Sequence, residues 1–245
     1  MCTIAVWHRV HPDVPLIVAA NRDEFHARAY RPPEVIGPGI VAGVDEQAGG
    51  TWMGATAAGF FAGLTNVRPP EGTDRRRRSR GALVVETLRA GTAAAATALL
   101  GARDPADYNP FFLLFGDADG LRLAAAPPDA VAIAISDVPP GAHVLPNGPL
   151  DAPSFAKVAR VAELVPDATL APPALVPALH RMLGDHAIAA AAPLRSICVH
   201  TPIYGTGSAT VILAGPGRTL RYLFAAGPPC QTQLDDVTER FGSAL

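Results

Sequence analysis

The sequence predicts an α+β fold of two β-layers flanked by helices, not a doubly wound parallel sheet. Apolar, β-branched runs gather at both ends of the 245-residue chain, while helical periodicity is confined to its middle. No G-x-G-x-x-G opens a helix after the first strand and no P-loop stands elsewhere, so the phosphate-binding signatures of a Rossmann sheet are absent. A chain of this length buries about 70 to 75% of its unfolded surface in one core. One domain over residues 1–245 is the expectation.

Strands at about 2 to 8 and 15 to 20 are joined through the turn-forming His11-Pro12-Asp13. The second is apolar from Leu16 to Ala20 and ends in the polar quartet Asn21-Arg22-Asp23-Glu24, as a strand does when it runs out into a site. Residues 29 to 39, rich in Pro and Gly, read as irregular, and strands follow over 40 to 44, 51 to 56 and 60 to 65, the last stopping at Asn66. Ser79 caps a helix with Leu83, Val84, Thr87 and Leu88 on one face and Gly91 at its end, and Thr92 caps a second, Ala-rich helix. Short strands over 111–115, 121–126 and 131–135 form a meander, and residues 143–148 are a short extended piece containing Asn147. Asp151 offers an N-cap to a helix burying Phe155, Val158, Ala162 and Val165, and another helix runs from about 174 to 183. The chain returns to β over 196–201, 208–214 and 220–226.

Composition narrows the function. A hydrophobic share of 49% against 17% charged describes a globular chain with a generous core. A net charge of −2 gives no field favouring nucleic acid or an anionic membrane, so no nucleic-acid partner is expected. The basic residues are nearly all Arg, with Lys157 the only Lys, and the heavy use of Ala, Arg, Pro and Gly is that of a GC-rich genome. Cys2, Cys198 and Cys230 form no CxxC, so neither a disulfide framework nor a zinc site is indicated, and no metal or cofactor is expected. The start lacks a secretory pattern and no apolar run reaches the ~18 residues of a membrane span, so a cytoplasmic protein without a transmembrane segment is expected.

The chemistry begins at Cys2. Removal of the initiator Met, permitted before a small side chain, makes Cys2 N-terminal and gives its thiol, with a pKa of about 8.5, an adjacent amine of about 7.7 to 8.0 that can act as its base. Two hairpin-paired strands bring Asp23 back toward that amine, where a carboxylate holds an ammonium by a charge-assisted hydrogen bond. Asn66 and Asn147, also at the ends of extended pieces, are of the type that donates to an oxyanion, although each taken singly reads as a turn residue. Arg75-Arg76-Arg77-Arg78-Ser79-Arg80 suits a phosphate or carboxylate, or is a solvated basic loop. Among the seven His residues none forms a close ligand pair, and His200, in an apolar run, reads as a satisfied core residue.

Met-Cys-Thr at the start, Asn21-Arg22-Asp23-Glu24, Gly49-Gly50-Thr51-Trp52-Met53-Gly54, Leu64-Thr65-Asn66-Val67-Arg68, Ser79-Arg80-Gly81 and Tyr204-Gly205-Thr206 resemble the NRDE family, also called the transport and Golgi organisation two family. That family is in turn similar to N-terminal-nucleophile (Ntn) hydrolases of the choloylglycine hydrolase and penicillin V acylase type. The resemblance implies a four-layer αββα sandwich with Cys2 as nucleophile, Asp23 orienting the amine, Asn66 at the oxyanion, and Asn147 assisting there or at the leaving group. It also implies substrate contacts from Asn21, Arg22, Arg68 and Tyr204. Three positions depart from the pattern: Ala20 where the hydrolases carry Arg before their Asn-x-Asp, Gly207 where Arg often follows Tyr-Gly-Thr, and Pro146 where Ser often precedes Asn.

Two functions follow. One is an amide, ester or thioester hydrolase working through a Cys2 acyl-enzyme on a small-molecule acyl substrate. The other is a non-catalytic carrier of haem or an acyl-CoA-like lipid in the same pocket, since family members are linked to haem trafficking and lipid metabolism.

Overall fold

The computed structural model describes residues 2–69, 72–165, 167–187 and 192–244. Two antiparallel sheets dominate it. The first runs β10 (Gly141–Leu145), β1 (Thr3–His8), β2 (Leu16–Phe25), β11 (Tyr204–Gly215), β12 (Arg218–Ala225) and β13 (Asp235–Asp236). The second runs in chain order through β3 (Tyr30–Gly37), β4 (Ile40–Asp45), β5 (Met53–Thr56), β6 (Phe61–Asn66), β7 (Phe111–Gly116), β8 (Leu121–Ala126) and β9 (Ala134–Val138). Helices α1 (Arg80–Ala90) and α2 (Ala93–Gly101) cover the outer face of the second sheet, and α3 (Ala156–Leu164) and α4 (Pro172–Leu183) that of the first.

The period-two alternation of the strands produces this layering. Ile4, Val6, Leu16, Val18 and Ala20 point between the sheets, against Met53, Phe61 and Leu114. Ala5, Trp7, Ile17 and Ala19 point the other way, under Leu175, Leu179 and Met182 of α4. On the far side Leu83, Val84 and Leu88 of α1 pack on Ala62, Phe111 and Leu113. The result is the expected four-layer αββα sandwich, with β1 and β2 buried on both faces.

Several local expectations hold. Ser79 Oγ accepts from the Ala82 amide and Gly91 ends α1 at φ 69°, while Thr92 caps α2 through Ala95. Others are corrected. Residues 30–37 form an edge strand, since its two prolines, Pro32 and Pro33, sit where a missing N–H interrupts no central ladder. The helix expected from Asp151 begins only at Ala156, because Asp151 sits in the left-handed region at φ 57°. Its carboxylate instead accepts from the Val144 amide and His143. Residues 196–201 form no strand beyond a single bridge between His200 and Gly205, and His200 is exposed rather than in the core.

The glycine motifs mark a close approach. A Cβ on Gly50 would lie 2.4 Å from the backbone carbon of Gly81, so the loop before β5 lies directly on the start of α1, with the Thr51 amide donating to Gly81 O. Gly50→Ala is expected to destabilise the chain by about 1–3 kcal/mol, the range of an overpacked site, read as a lower urea midpoint; an unchanged midpoint would refute the contact.

Candidate active site

The site is built where β1, β2 and β11 lie side by side. Thr3 pairs with Asn21 across β1 and β2, and Thr206 pairs with Asp23 across β2 and β11, so Cys2 and Asp23 emerge at the same end of the sheet. The Cys2 thiol lies 3.9 Å from the Asp23 carbonyl oxygen. The expectation that β2 ends before the polar quartet is corrected: the strand continues to Phe25, and Asn21, Arg22 and Asp23 are buried within it.

Asp23 is held on every side. Its Oδ1 accepts from Thr206 Oγ1 at 2.6 Å and its Oδ2 from Lys157 Nζ at 3.1 Å, and its carbonyl accepts from Tyr204 Oη at 2.8 Å. Thr206 Oγ1 in turn accepts from the Val199 amide at 2.8 Å. The residue between Tyr204 and Thr206 has to be glycine, since a Cβ on Gly205 would fall 2.7 Å from the Val199 carbonyl. The Tyr-Gly-Thr motif is therefore a strap on Asp23, and Tyr204 acts here through its hydroxyl, which donates to the Asp23 main chain.

Lys157 and Thr206 escaped the sequence reading. Lys157 comes from α3, far from Asp23 in the chain, and is 3% exposed, a burial a lysine tolerates only when paired. One signal was available: a chain that otherwise uses Arg has kept a single Lys.

Strand alternation separates the rest of the quartet. Asn21 faces the helices, and its Nδ2 donates to the carbonyls of Leu183 and Ile197. Arg22 points between the sheets, where its guanidinium sits 4.9 Å from the Tyr30 ring and 4.8 Å from the Trp52 ring. Trp52 covers Gly43, where a Cβ would come within 2.4 Å of the indole, and Tyr30 Oη donates to Gly207 O at 2.7 Å. Two family motifs thus meet at one cation–π stack. Arg68 is exposed.

A cleft of about 70 Å³ opens beside the thiol, lined by Cys2, Asn147, Phe155, Lys157, Leu194 and Arg195 among others. Asn147 is brought there, and its Nδ2 donates to the Asn66 carbonyl at 2.7 Å, joining the two sheets across the site. The Asn147 Oδ1 is buried and unpartnered among the described residues. Asn66 reaches the site through its backbone and is not in the cleft lining. Burial pushes the Cys2 thiol above its ordinary pKa, and the nearby Asp23 charge adds to this while Arg22 opposes it.

The arginine cluster does not converge on one ligand. Arg76 pairs with Asp74, Arg77 donates to the Tyr108 carbonyl, Arg78 lies over the Tyr108 ring, and Arg80 donates to the Pro110 carbonyl. Burial lowers Arg80 to about 10, which leaves it cationic at neutrality, and its charge reaches Cys2.

Residues 1–223 match the family model described as Transport and Golgi organisation 2. The chain belongs to that family. A Transport and Golgi organization protein 2 homolog from Bos taurus is 30% identical over 230 residues, covering 81% of each chain. Among solved structures, penicillin V acylase from Agrobacterium tumefaciens superposes with a TM-score of 0.52 at 16% identity, over 100% of this chain and 89% of that one. An N-acylethanolamine-hydrolyzing acid amidase ortholog from Caenorhabditis elegans gives 0.55 at 10% identity, over 88% and 93%. At these identities the likeness is one of fold, and this Transport and Golgi organisation 2 chain shares the Ntn-hydrolase sandwich.

Removing the Lys157 ammonium strips a buried carboxylate of its cation. Lys157→Met is expected to cost about 3–5 kcal/mol, and a cycle with Asp23→Asn to give a coupling of about 0.5–3 kcal/mol. Additive losses in chemical denaturation would show that the pair does not act as a unit.

Proposed function

We propose that this protein is an Ntn-type cysteine hydrolase of amide, ester or thioester bonds, active once Met1 is removed. The observation that carries the reading is the Cys2 thiol beside Asp23 at the mouth of a cleft, with the Asp23 carboxylate fixed by Lys157 and Thr206. In the chain that retains Met1 the nitrogen of Cys2 is an amide and carries no basic lone pair, and burial holds the thiol protonated. Processing supplies the base.

The α-amine of Cys2 takes the thiol proton, and the thiolate adds to the acyl carbonyl. Collapse of the tetrahedral intermediate breaks the bond to the leaving group, which departs with the proton held by the ammonium. Water, deprotonated by the same amine, then attacks the acyl thioester and releases the acid and the thiol. This reading gives the oxyanion to Asn147, which lines the cleft and has a second Nδ2–H besides the one on the Asn66 carbonyl. Lys157 supplies the cation that the acylase-type pattern carries at the position of Ala20. Its ammonium partly offsets the Asp23 charge, which on its own disfavours the thiolate.

In the chain that retains Met1 the cleft is small. A site of about 70 Å³ is well below the ~300–1,000 Å³ of pockets that enclose drug-sized ligands, so haem or a whole coenzyme would need the walls at Phe155 and Leu194 to part.

Incubation of the processed protein with a short acyl thioester is expected to add one acyl mass at Cys2, absent in Cys2→Ala and lost on hydrolysis. A processed chain that gains no adduct yet binds haem one to one would replace the hydrolase by the carrier. The pH dependence has a definite sign: with Met1 retained, the raised thiol pKa makes iodoacetamide alkylation of Cys2 slower than that of a free cysteine at pH 7, rising only above the ordinary thiol range. Processing is expected to move that rise toward neutrality, and identical profiles for the two forms would count against amine assistance.

A further inference from the structure

Away from the Cys2 cleft, four side chains gather that neither the family nor the hydrolase reading employs. Cys198 Sγ lies 3.8 Å from Cys230 Sγ and 3.5 Å from His200 Nε2, and His200 Nε2 lies 3.2 Å from Cys230 Sγ. His186 joins them: ligand atoms of His186, His200 and Cys230 all fall within 4.8 Å of one another. With metal–sulfur bonds near 2.3 Å and metal–nitrogen bonds near 2.0–2.1 Å, a tetrahedral site has sulfur–sulfur edges of about 3.8 Å and sulfur–nitrogen edges of about 3.5 Å. The edges among Cys198, His200 and Cys230 lie within about 0.3 Å of these, and His186 stands within 4.8 Å of His200 and Cys230, close enough for its ring to swing onto a bound ion.

We propose that His186, Cys198, His200 and Cys230 form a structural Zn²⁺ site. Two thiolates and two imidazoles in a tetrahedral arrangement select zinc over harder cations. The His186 ring is already set for the task, since its Nδ1–H donates to the Gly184 carbonyl at 3.0 Å and leaves Nε2 as the free lone pair. The neighbouring carboxylate, Asp185, is taken by Arg160 at 2.8 Å and does not compete as a ligand. His186 and His200 are exposed and Cys230 half-buried, so an ion reaches the cluster from solvent.

The site has work to do in the fold. Its ligands come from three stretches with little regular structure: the exit of α4, residues 196–201, and the turn after β12. Few backbone ladders join these stretches, and a four-coordinate ion ties them together. Val199 stands between two ligands, and its amide holds Thr206, which holds Asp23. The ion therefore also stiffens the strap on which Asp23 depends. No sequence pattern announces the site, because only Cys198 and His200 are close in the chain.

The test uses the full chain, reduced and freed of metal, then titrated with Co²⁺ and Zn²⁺. Expected are one Co²⁺ per chain, with thiolate-to-metal charge transfer and the visible bands of tetrahedral cobalt, and displacement of that spectrum by one Zn²⁺. His200→Gln, a surface change that leaves the core intact, is expected to weaken Zn²⁺ binding at least 100-fold, and Cys230→Ser to remove the charge-transfer band. Cys2→Ser is expected to leave spectrum and stoichiometry as they are. A reduced wild-type chain that takes up no Co²⁺, or binding that survives both His200→Gln and Cys230→Ser, overturns the proposal. So does a Cys198–Cys230 disulfide that persists in the reductant and blocks uptake.

Discussion

The ion pair between Asp23 and Lys157 is the contact on which the rest of the site depends. Both groups are almost wholly buried, where a charge is tolerated only when it is paired. The pair joins α3 of the outer layer to β2 at the centre of a sheet, and with Thr206 on the other oxygen it fixes the carboxylate from two elements. A side chain so constrained keeps a single orientation.

The layers around it explain why this end of the sheet is available. Helices on both outer faces bury the broad apolar surfaces of the two sheets, leaving polar groups to collect where strands end. Antiparallel pairing brings the beginning of β1 beside the far end of β2, so the start of the chain meets a residue some twenty positions on without a long loop. Tight glycine contacts hold the remaining parts in register: Gly50 against Gly81 sets α1 on the second sheet, and Gly205 against Val199 sets the strap.

The same architecture separates adjacent residues of one motif into different roles. In Asn21-Arg22-Asp23 the pleat sends the first to the helix layer, the second between the sheets and the third back toward α3. Asn21 and Arg22 thereby act as anchors, for α4 through the Leu183 carbonyl and for the aromatic pair Tyr30 and Trp52. The arginine run after β6 is divided in a similar way among separate carbonyl, ring and carboxylate partners, so its charge does not gather at one point.

By itself the sequence determined the α+β class, most strands and the caps of α1 and α2, and it singled out Cys2, Asp23 and Asn147 as candidates, because periodicity, cap chemistry and a thiol next to the initiator Met are local signals. It misplaced the start of α3 and the end of β2, since Asp151 found a better partner in His143 and the polar quartet found hydrogen bonds inside a sheet that its polarity did not foretell. Only the tertiary structure decided that Lys157 and Thr206 complete the carboxylate, that Asn66 enters through its backbone, and that His186, Cys198, His200 and Cys230 converge. Each of these is a contact between distant parts of the chain, set by how layers pack and where strands end, and neither propensity nor spacing carries that information.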